Sequence, residues 1–195
     1  MSLTIICVVD DSGLIIGVGC VANVVSDNPL QGAVLFSLAL LTICAIKYKL
    51  YTGAIGFLNS FNELKYLILM LLVNFAGVAA FCYLIASYSG LNIDTSALCE
   101  IKLNETWYEA LTRSFGCGVL IYIAVISYSR VSTMETKANP LFVILPVVAF
   151  ILCGYDHCIA NYGYLVMNDI YWTNNLPIWV AGNSLGALTV SKIEF

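Results

Sequence analysis

Charge is what this chain has least of. Only 10% of its 195 residues are charged, against 61% hydrophobic, and the mean hydropathy is +0.91. A soluble domain carries about 25% charged residues, so the polar surface needed to coat a globule is missing. A water-soluble enzyme and a disordered chain are thereby excluded. Basic residues are few as well: 8 Lys and Arg against 12 Asp and Glu leave a net charge of −4. That excludes a nucleic-acid partner, because basic patches do such binding. The length leaves room for several bilayer crossings and for no separate soluble domain. The composition is that of an all-α integral membrane protein.

Metal-ligand patterns are missing too. There is a single histidine, His157, and no C-x-x-C pair among the 8 cysteines. One histidine with scattered cysteines does not make a ligand set, so no metal and no cofactor is expected. Most cysteines lie in apolar stretches, where the residue acts as a small buried hydrophobe. Cys99 alone falls in a polar loop, without an obvious partner. No Lys or Arg precedes the first apolar run and no small-residue cleavage site follows it, which argues against a signal peptide.

What is present is a series of apolar runs. Uncharged stretches occupy 12–26, 29–46, 66–93, 114–129, 138–155 and 170–191, each near the length that crosses a bilayer. The second continues through Lys47 and Lys49 to an apolar patch at Tyr51–Ser60. The fifth continues past Asp156 and His157 to Asn168. The reading is six transmembrane spans, the second and fifth broken, with both termini on one side. Placing the termini in the cytoplasm puts Lys47, Lys49, Lys65, Arg130, Lys137 and Lys192 there and leaves Lys102 and Arg113 opposite, which agrees with the positive-inside rule.

The halves look like copies. The third run holds Asn74-Phe75-Ala76-Gly77 and the sixth Asn183-Ser184-Leu185-Gly186, an N-x-x-G in the last span of each half. Each half also has its middle span broken, at Leu50-Tyr51-Thr52-Gly53 and at Gly154-Tyr155-Asp156-His157. An odd number of spans per half gives two inverted three-helix repeats, approximately 1–92 and 103–195, within one transmembrane domain covering 1–195. Unpaired backbone at membrane depth must line a protein-walled pathway, so the two breaks are expected to meet near the midplane. Gly53 and Gly154 are expected to supply the backbone freedom for them.

His157 follows Asp156 inside an otherwise apolar span. An ionisable group there is functional by default, and a neutral imidazole can donate from one nitrogen while accepting at the other. Arg113 lies one turn after Glu109 and reads as an (i, i+4) ion pair. Lys102, just outside the same span, either concentrates anions electrostatically or is a solvated loop lysine.

These residues resemble the formate/nitrite transporter family of small-anion channels. Lys102-Leu-Asn-Glu-Thr-Trp107-Tyr-Glu109-Ala is similar to that family's entry to the fourth span, and Arg113-Ser-Phe-Gly-Cys117-Gly118 falls on its R-G-x-x-C-N pattern. Gly154-Tyr155-Asp156-His157-Cys158-Ile159-Ala160-Asn161 resembles its G-F-E-H-x-x-A-N, Gly182-Asn183-Ser184-Leu185-Gly186 its G-N-x-x-G, and Leu50-Tyr51-Thr52-Gly53 its L-F-T-G. The resemblance covers nearly the whole chain.

It implies an aquaporin-like fold, a homopentamer in the cell (inner) membrane, and one pore per subunit for small monovalent anions or their protonated weak acids: formate, nitrite or hydrosulfide, together with protons. By position, His157 and Thr52 face each other at the pore centre, Lys102 is the vestibule lysine and Asn183 a pore-side asparagine. Phe36, Leu40, Tyr51, Ile121 and Phe150 fall on two hydrophobic constrictions. Gly118 stands where the family has a pore-lining asparagine. An asparagine there is expected to change selectivity more than stability, provided there is space for it. Tyr51 replaces a phenylalanine, and Lys47-Tyr-Lys49 stands where small and acidic residues are usual. The chain begins almost at its first span, so gating without an N-terminal helix is expected, with closure at Tyr51–Phe57. Two other classes stay open on the residues alone: a membrane-embedded enzyme using Asp156 and His157 as an acid–base pair, and a non-conducting scaffold subunit.

Overall fold

The computed structural model describes residues 12–133 and 139–193. The expectations that rest on Cys7, on Lys137 and on the lead before Ser12 lie outside the described residues. Every regular element among those described is helical. In chain order they are α1 (Ser12–Val24), α2 (Pro29–Ala45), α3 (Tyr51–Ala54) with a 3₁₀ turn at Ile55–Phe57, α4 (Phe61–Tyr88), α5 (Ser96–Leu103), α6 (Trp107–Thr133), α7 (Leu141–Leu152), α8 (Cys158–Val166) and α9 (Asn175–Ile193).

The helices outrun the apolar stretches wherever charge sits on a helix end. α4 starts before Glu63 and Lys65, and α6 begins seven residues ahead of Ser114 so as to include Glu109 and Arg113. Charge at a helix end costs little, because long side chains reach water from there. α4 and the Trp107–Arg130 part of α6 are long and apolar enough to cross a bilayer on their own. α5 corrects the reading of Cys99 as lying in a polar loop. Asp94 Oδ1 accepts the Ser96 N–H at 2.9 Å at its start, and that bond holds the Asp94 carboxyl below the ordinary carboxylate range. Cys99 is correspondingly buried, its thiol donating to the Tyr164 carbonyl at 3.4 Å.

Close helix pairs organise each half. α1 lies on α4, where a Cβ on Gly13 would come within 2.0 Å of the Asn74 carbonyl oxygen. α6 lies on α9, where a Cβ on Gly186 would come within 2.1 Å of the Phe115 carbonyl oxygen and one on Gly182 within 2.8 Å of that of Leu111. Small residues four apart permit such approach, as they do in membrane bundles generally. α2 packs on α7 and α8 on α4, which joins the halves. Leu14, Leu30, Leu69, Leu72, Leu84, Leu145 and Leu185 remain exposed on the outside.

The two interruptions are built alike. The chain leaves helix over residues 46–50 after α2 and over 153–157 after α7, five residues each time. The Tyr48 N–H bonds back to the Ile43 carbonyl and the Lys47 N–H to that of Cys44. After α7, the Tyr155 N–H bonds to Phe150 and the Gly154 N–H to Ile151. Both are the 6→1 and 5→2 bonds of a Schellman cap, which needs one residue in the left-handed region. That residue is Gly154 (φ +69°) in the second break but Lys47 (φ +62°) in the first. The assignment of this role to Gly53 is therefore corrected. Gly53 is helical in α3 and lies against Val125, with a Cβ position only 2.8 Å from its Cγ2.

Candidate functional site

After each break the chain re-enters helix, and an asparagine from the N-x-x-G of the same half receives it. Asn74 Oδ1 accepts the Tyr51 N–H, the first of α3, at 3.0 Å. Asn183 Oδ1 accepts the Cys158 N–H, the first of α8, at 2.9 Å. A helix start leaves such N–H groups without intrahelical partners, and at depth no water replaces them. Asn183 also donates from Nδ2 to the Ser114 and Asp156 carbonyls, both at 2.7 Å. Asn183 is fully buried, and all three of these bonds go to backbone. Asn74 Nδ2 has no partner among the described residues.

Between the two starts lie Thr52 and His157, both buried, with Thr52 Oγ1 and His157 Nε2 2.9 Å apart. His157 is the N-cap of α8, and its Nδ1 accepts the Ala160 N–H at 3.1 Å. Nδ1 is thus an acceptor, and the proton of a neutral ring sits on Nε2, donating to Thr52. Phe150 stacks on the imidazole with centroids 5.9 Å apart, and Phe36 meets Phe150 edge-on at the same separation. Leu40 and Ile121 belong to the same buried apolar cluster. Tyr51 packs in a second cluster with Ile55, Leu67, Tyr122 and Ala187, its hydroxyl 2.9 Å from Ser184 Oγ.

Gly118 is a correction. It packs against Asn183, and a Cβ there would stand 2.2 Å from that residue's carbonyl oxygen. No side chain fits, so an asparagine at 118 costs stability before it can alter selectivity.

On the side of α5, His157 and Phe150 form part of the wall of a cavity of about 230 Å³ that also reaches Lys102, Arg113, Asn161 and Tyr164. Lys102 is not a solvated loop lysine: only 7% of its side chain is exposed. It pairs with Asp156 Oδ1, lies 3.3 Å from Glu105 Oε1, and donates to the Gly154 carbonyl at 3.1 Å. Asp156 Oδ1 also accepts from Asn161 Nδ2 at 2.8 Å, while Oδ2 is without a partner among the described residues. Arg113 pairs with Glu105 at 2.9 Å. The expected Arg113–Glu109 pair is thereby corrected, since the Glu109 carboxylate takes the Thr106 N–H and hydroxyl at its own helix start. Glu105 and its braces were missed by the sequence reading. Trp179 Nε1 donates to Glu105 Oε2 at 3.2 Å, and Asn175 Nδ2 donates to the Lys102 and Glu105 carbonyls. Only the tryptophan and asparagine near the start of α9 hinted at this, and their partners lie some 70 residues away.

The formate/nitrite transporter family model matches residues 11–193, nearly the whole chain. The chain belongs to the formate/nitrite transporter family. It is 26% identical over 158 residues to the formate channel FocA of Haemophilus influenzae, covering 72% of this chain and 54% of that protein. It is 23% identical over 187 residues to the formate-nitrite transporter of Plasmodium ovale, covering 80% and 59%. The chain thus spans a little over half the length of these relatives. Among solved structures, a pentameric formate channel with formate bound superposes with a TM-score of 0.75 at 19% identity, over 93% of this chain and 91% of that one. An FNT family ion channel gives 0.76 at 21% identity, over 93% and 84%. The all-helical fold is that of these channels. The family is one of membrane channels and transporters, not of enzymes, so the acid–base enzyme alternative falls.

Proposed function

We propose that the chain is a channel subunit passing small monovalent anions, or their protonated weak acids, across the cell (inner) membrane. In this reading there are six spans: α1, α2 with α3, α4, α6, α7 with α8, and α9. They form two inverted repeats of one domain, with both termini cytoplasmic, and five copies assemble. The observation that carries the reading is the Thr52–His157 hydrogen bond between two interrupted helices, with His157 lining a cavity and stacked on the Phe150 ring. The relatives' names support formate and nitrite, and hydrosulfide is the third small monoanion considered.

Magnitudes favour the neutral acid at the narrow point. An ion entering a dry constriction loses several kcal/mol of hydration even after relaxation. Protonating a carboxylate whose pKa is near 4 at pH 7 costs about 4 kcal/mol. A protonated acid therefore crosses the apolar residues Phe36, Leu40, Ile121 and Phe150 on one side, and Tyr51 on the other, more cheaply than its anion. At the midpoint the Nε2–H of His157 and the Thr52 hydroxyl offer one donor and one acceptor to the passing molecule. Nε2 already carries the proton of the neutral ring, so a second proton could enter only at Nδ1 and would displace the Ala160 bond; the ring therefore serves as a hydrogen-bond post while that cap is in place.

The deciding experiment is flux in proteoliposomes against formate, nitrite, hydrosulfide and lactate, with wild type and His157→Ala. Flux in wild type that collapses or loses its proton coupling in the variant supports the reading. No flux in wild type leaves the scaffold subunit instead. Native mass spectrometry in mild detergent is expected to give a pentamer, and a stable monomer or tetramer would refute the assembly.

A further inference from the structure

The cavity presents two cations, and their surroundings divide the work between them. An ammonium has three N–H donors, and three acceptors already surround Lys102 Nζ: the Gly154 carbonyl, Asp156 Oδ1 and Glu105 Oε1. With 7% of its side chain exposed, Lys102 has no donor left for a solute. Two carboxylates beside one ammonium also leave this corner negative until Arg113 is counted.

Arg113 is differently placed. Its side chain is 37% exposed, and it lines the same cavity as His157 and Phe150. A guanidinium offers five donors in a planar fork. Nη1 is held by Glu105 at 2.9 Å, and the other donors bond no group among the described residues. Glu105 is itself fixed by Trp179 and Lys102, so the guanidinium is held from one side with its remaining edge open.

We propose that Arg113 is the anion-capturing residue of this cavity, binding a small planar monoanion on the guanidinium edge that Glu105 leaves open, while Lys102 is a structural counter-charge. The assignment rests on the transport reading and deepens it. A carboxylate or nitrite matches the fork with two parallel N–H bonds, and charge-assisted bonds of this kind are the strong ones. Held there, the anion lies in the cavity whose wall includes His157, where the neutral acid would cross.

The test is concentration-dependent formate and nitrite uptake into proteoliposomes by wild type, Arg113→Gln and Arg113→Lys. Glutamine can still donate to Glu105, which protects the fold. The half-saturating concentration is expected to rise about tenfold in Arg113→Gln and about threefold in Arg113→Lys, which keeps charge but loses the fork. Limiting flux is expected to stay within about twofold. A merely structural role would lower limiting flux and leave half-saturation alone, and that result overturns the assignment. The second measurement needs no variant. Phenylglyoxal modifies arginine, and the chain has two, Arg113 and Arg130. Formate is expected to slow modification of Arg113 and not of Arg130 in the wild-type assembly. Equal rates with and without formate overturn the proposal. Wild type that conducts nothing refutes the transport reading instead, and the protection assay still decides whether Arg113 binds the anion.

Discussion

A Cβ on Gly118 meets a backbone carbonyl rather than a flexible side chain, at 2.2 Å, so neither partner can move without shifting α6 against α9. Gly118→Ala is expected to cost about 3 kcal/mol, read as a lower thermal midpoint in detergent, and Gly118→Asn is expected to fail to assemble. His157 has two duties, capping α8 through Nδ1 and meeting Thr52 through Nε2, and they can be separated. Asparagine is among the best N-caps, so His157→Asn is expected to keep the midpoint within about 1 kcal/mol of wild type while losing weak-acid flux or its proton coupling. His157→Phe is expected to lose both cap and flux. Thr52→Val, which removes one hydroxyl and keeps the shape, is expected to reduce flux less than either. If His157→Asn conducts like wild type, the imidazole is only a cap. At this scale the sequence was informative about which residues matter and less so about what they touch. His157 stands out because ionisable groups are rare inside apolar runs. The i, i+4 rule led to Glu109 as the partner of Arg113, whereas Glu105 wins because Trp179 of α9 and Lys102 of α5 brace it.

Each broken element depends on an asparagine from a neighbouring helix, but the two are not equally engaged. Removing Asn183 leaves the Cys158 N–H and the Ser114 and Asp156 carbonyls without that partner, whereas removing Asn74 strands only the Tyr51 N–H. An unsatisfied buried group costs about 1–3 kcal/mol. Asn183→Leu is therefore expected to abolish the folded assembly, and Asn74→Leu to lower its thermal midpoint while leaving it isolable. Equal tolerance of both would show that the asparagines do not hold the breaks. The breaks themselves were legible because charge or glycine interrupts an apolar run at matching places, at Lys47 and Lys49 and again at Gly154 and Asp156. The residue in the left-handed region was not legible in the first half. There a lysine occupies a position that usually takes glycine, against the ordinary preference, and only the backbone reveals it. α5 escaped notice for a different reason: eight residues carrying Glu100 and Lys102 give no apolar run, and the helix is held by Asp94, Thr95 and Asn175.

Seen whole, the molecule has two ends of different character, and the orientation proposed for it can be tested at one cysteine. The α5 end carries the cavity, Arg113, and Cys153 at the C-cap of α7. Among the described cysteines Cys153 is exposed, Cys44 is half-buried and the rest are buried. The opposite end carries Lys47, Lys49, Lys65 and Lys192. The orientation proposed above, from the excess of basic residues under the positive-inside rule, has that end in the cytoplasm and Cys153 and the cavity outside. A membrane-impermeant maleimide, applied to intact cells producing a Cys7→Ser background, is expected to label the protein at Cys153, and Cys153→Ser to abolish the label. Excess formate should slow the reaction only modestly, since Cys153 lines the cavity wall beside Gly154 and makes no bond to Arg113. Labelling that requires permeabilised cells would invert the orientation. It would move anion capture at Arg113 to the cytoplasmic mouth, making the same chemistry an export site rather than an entry site.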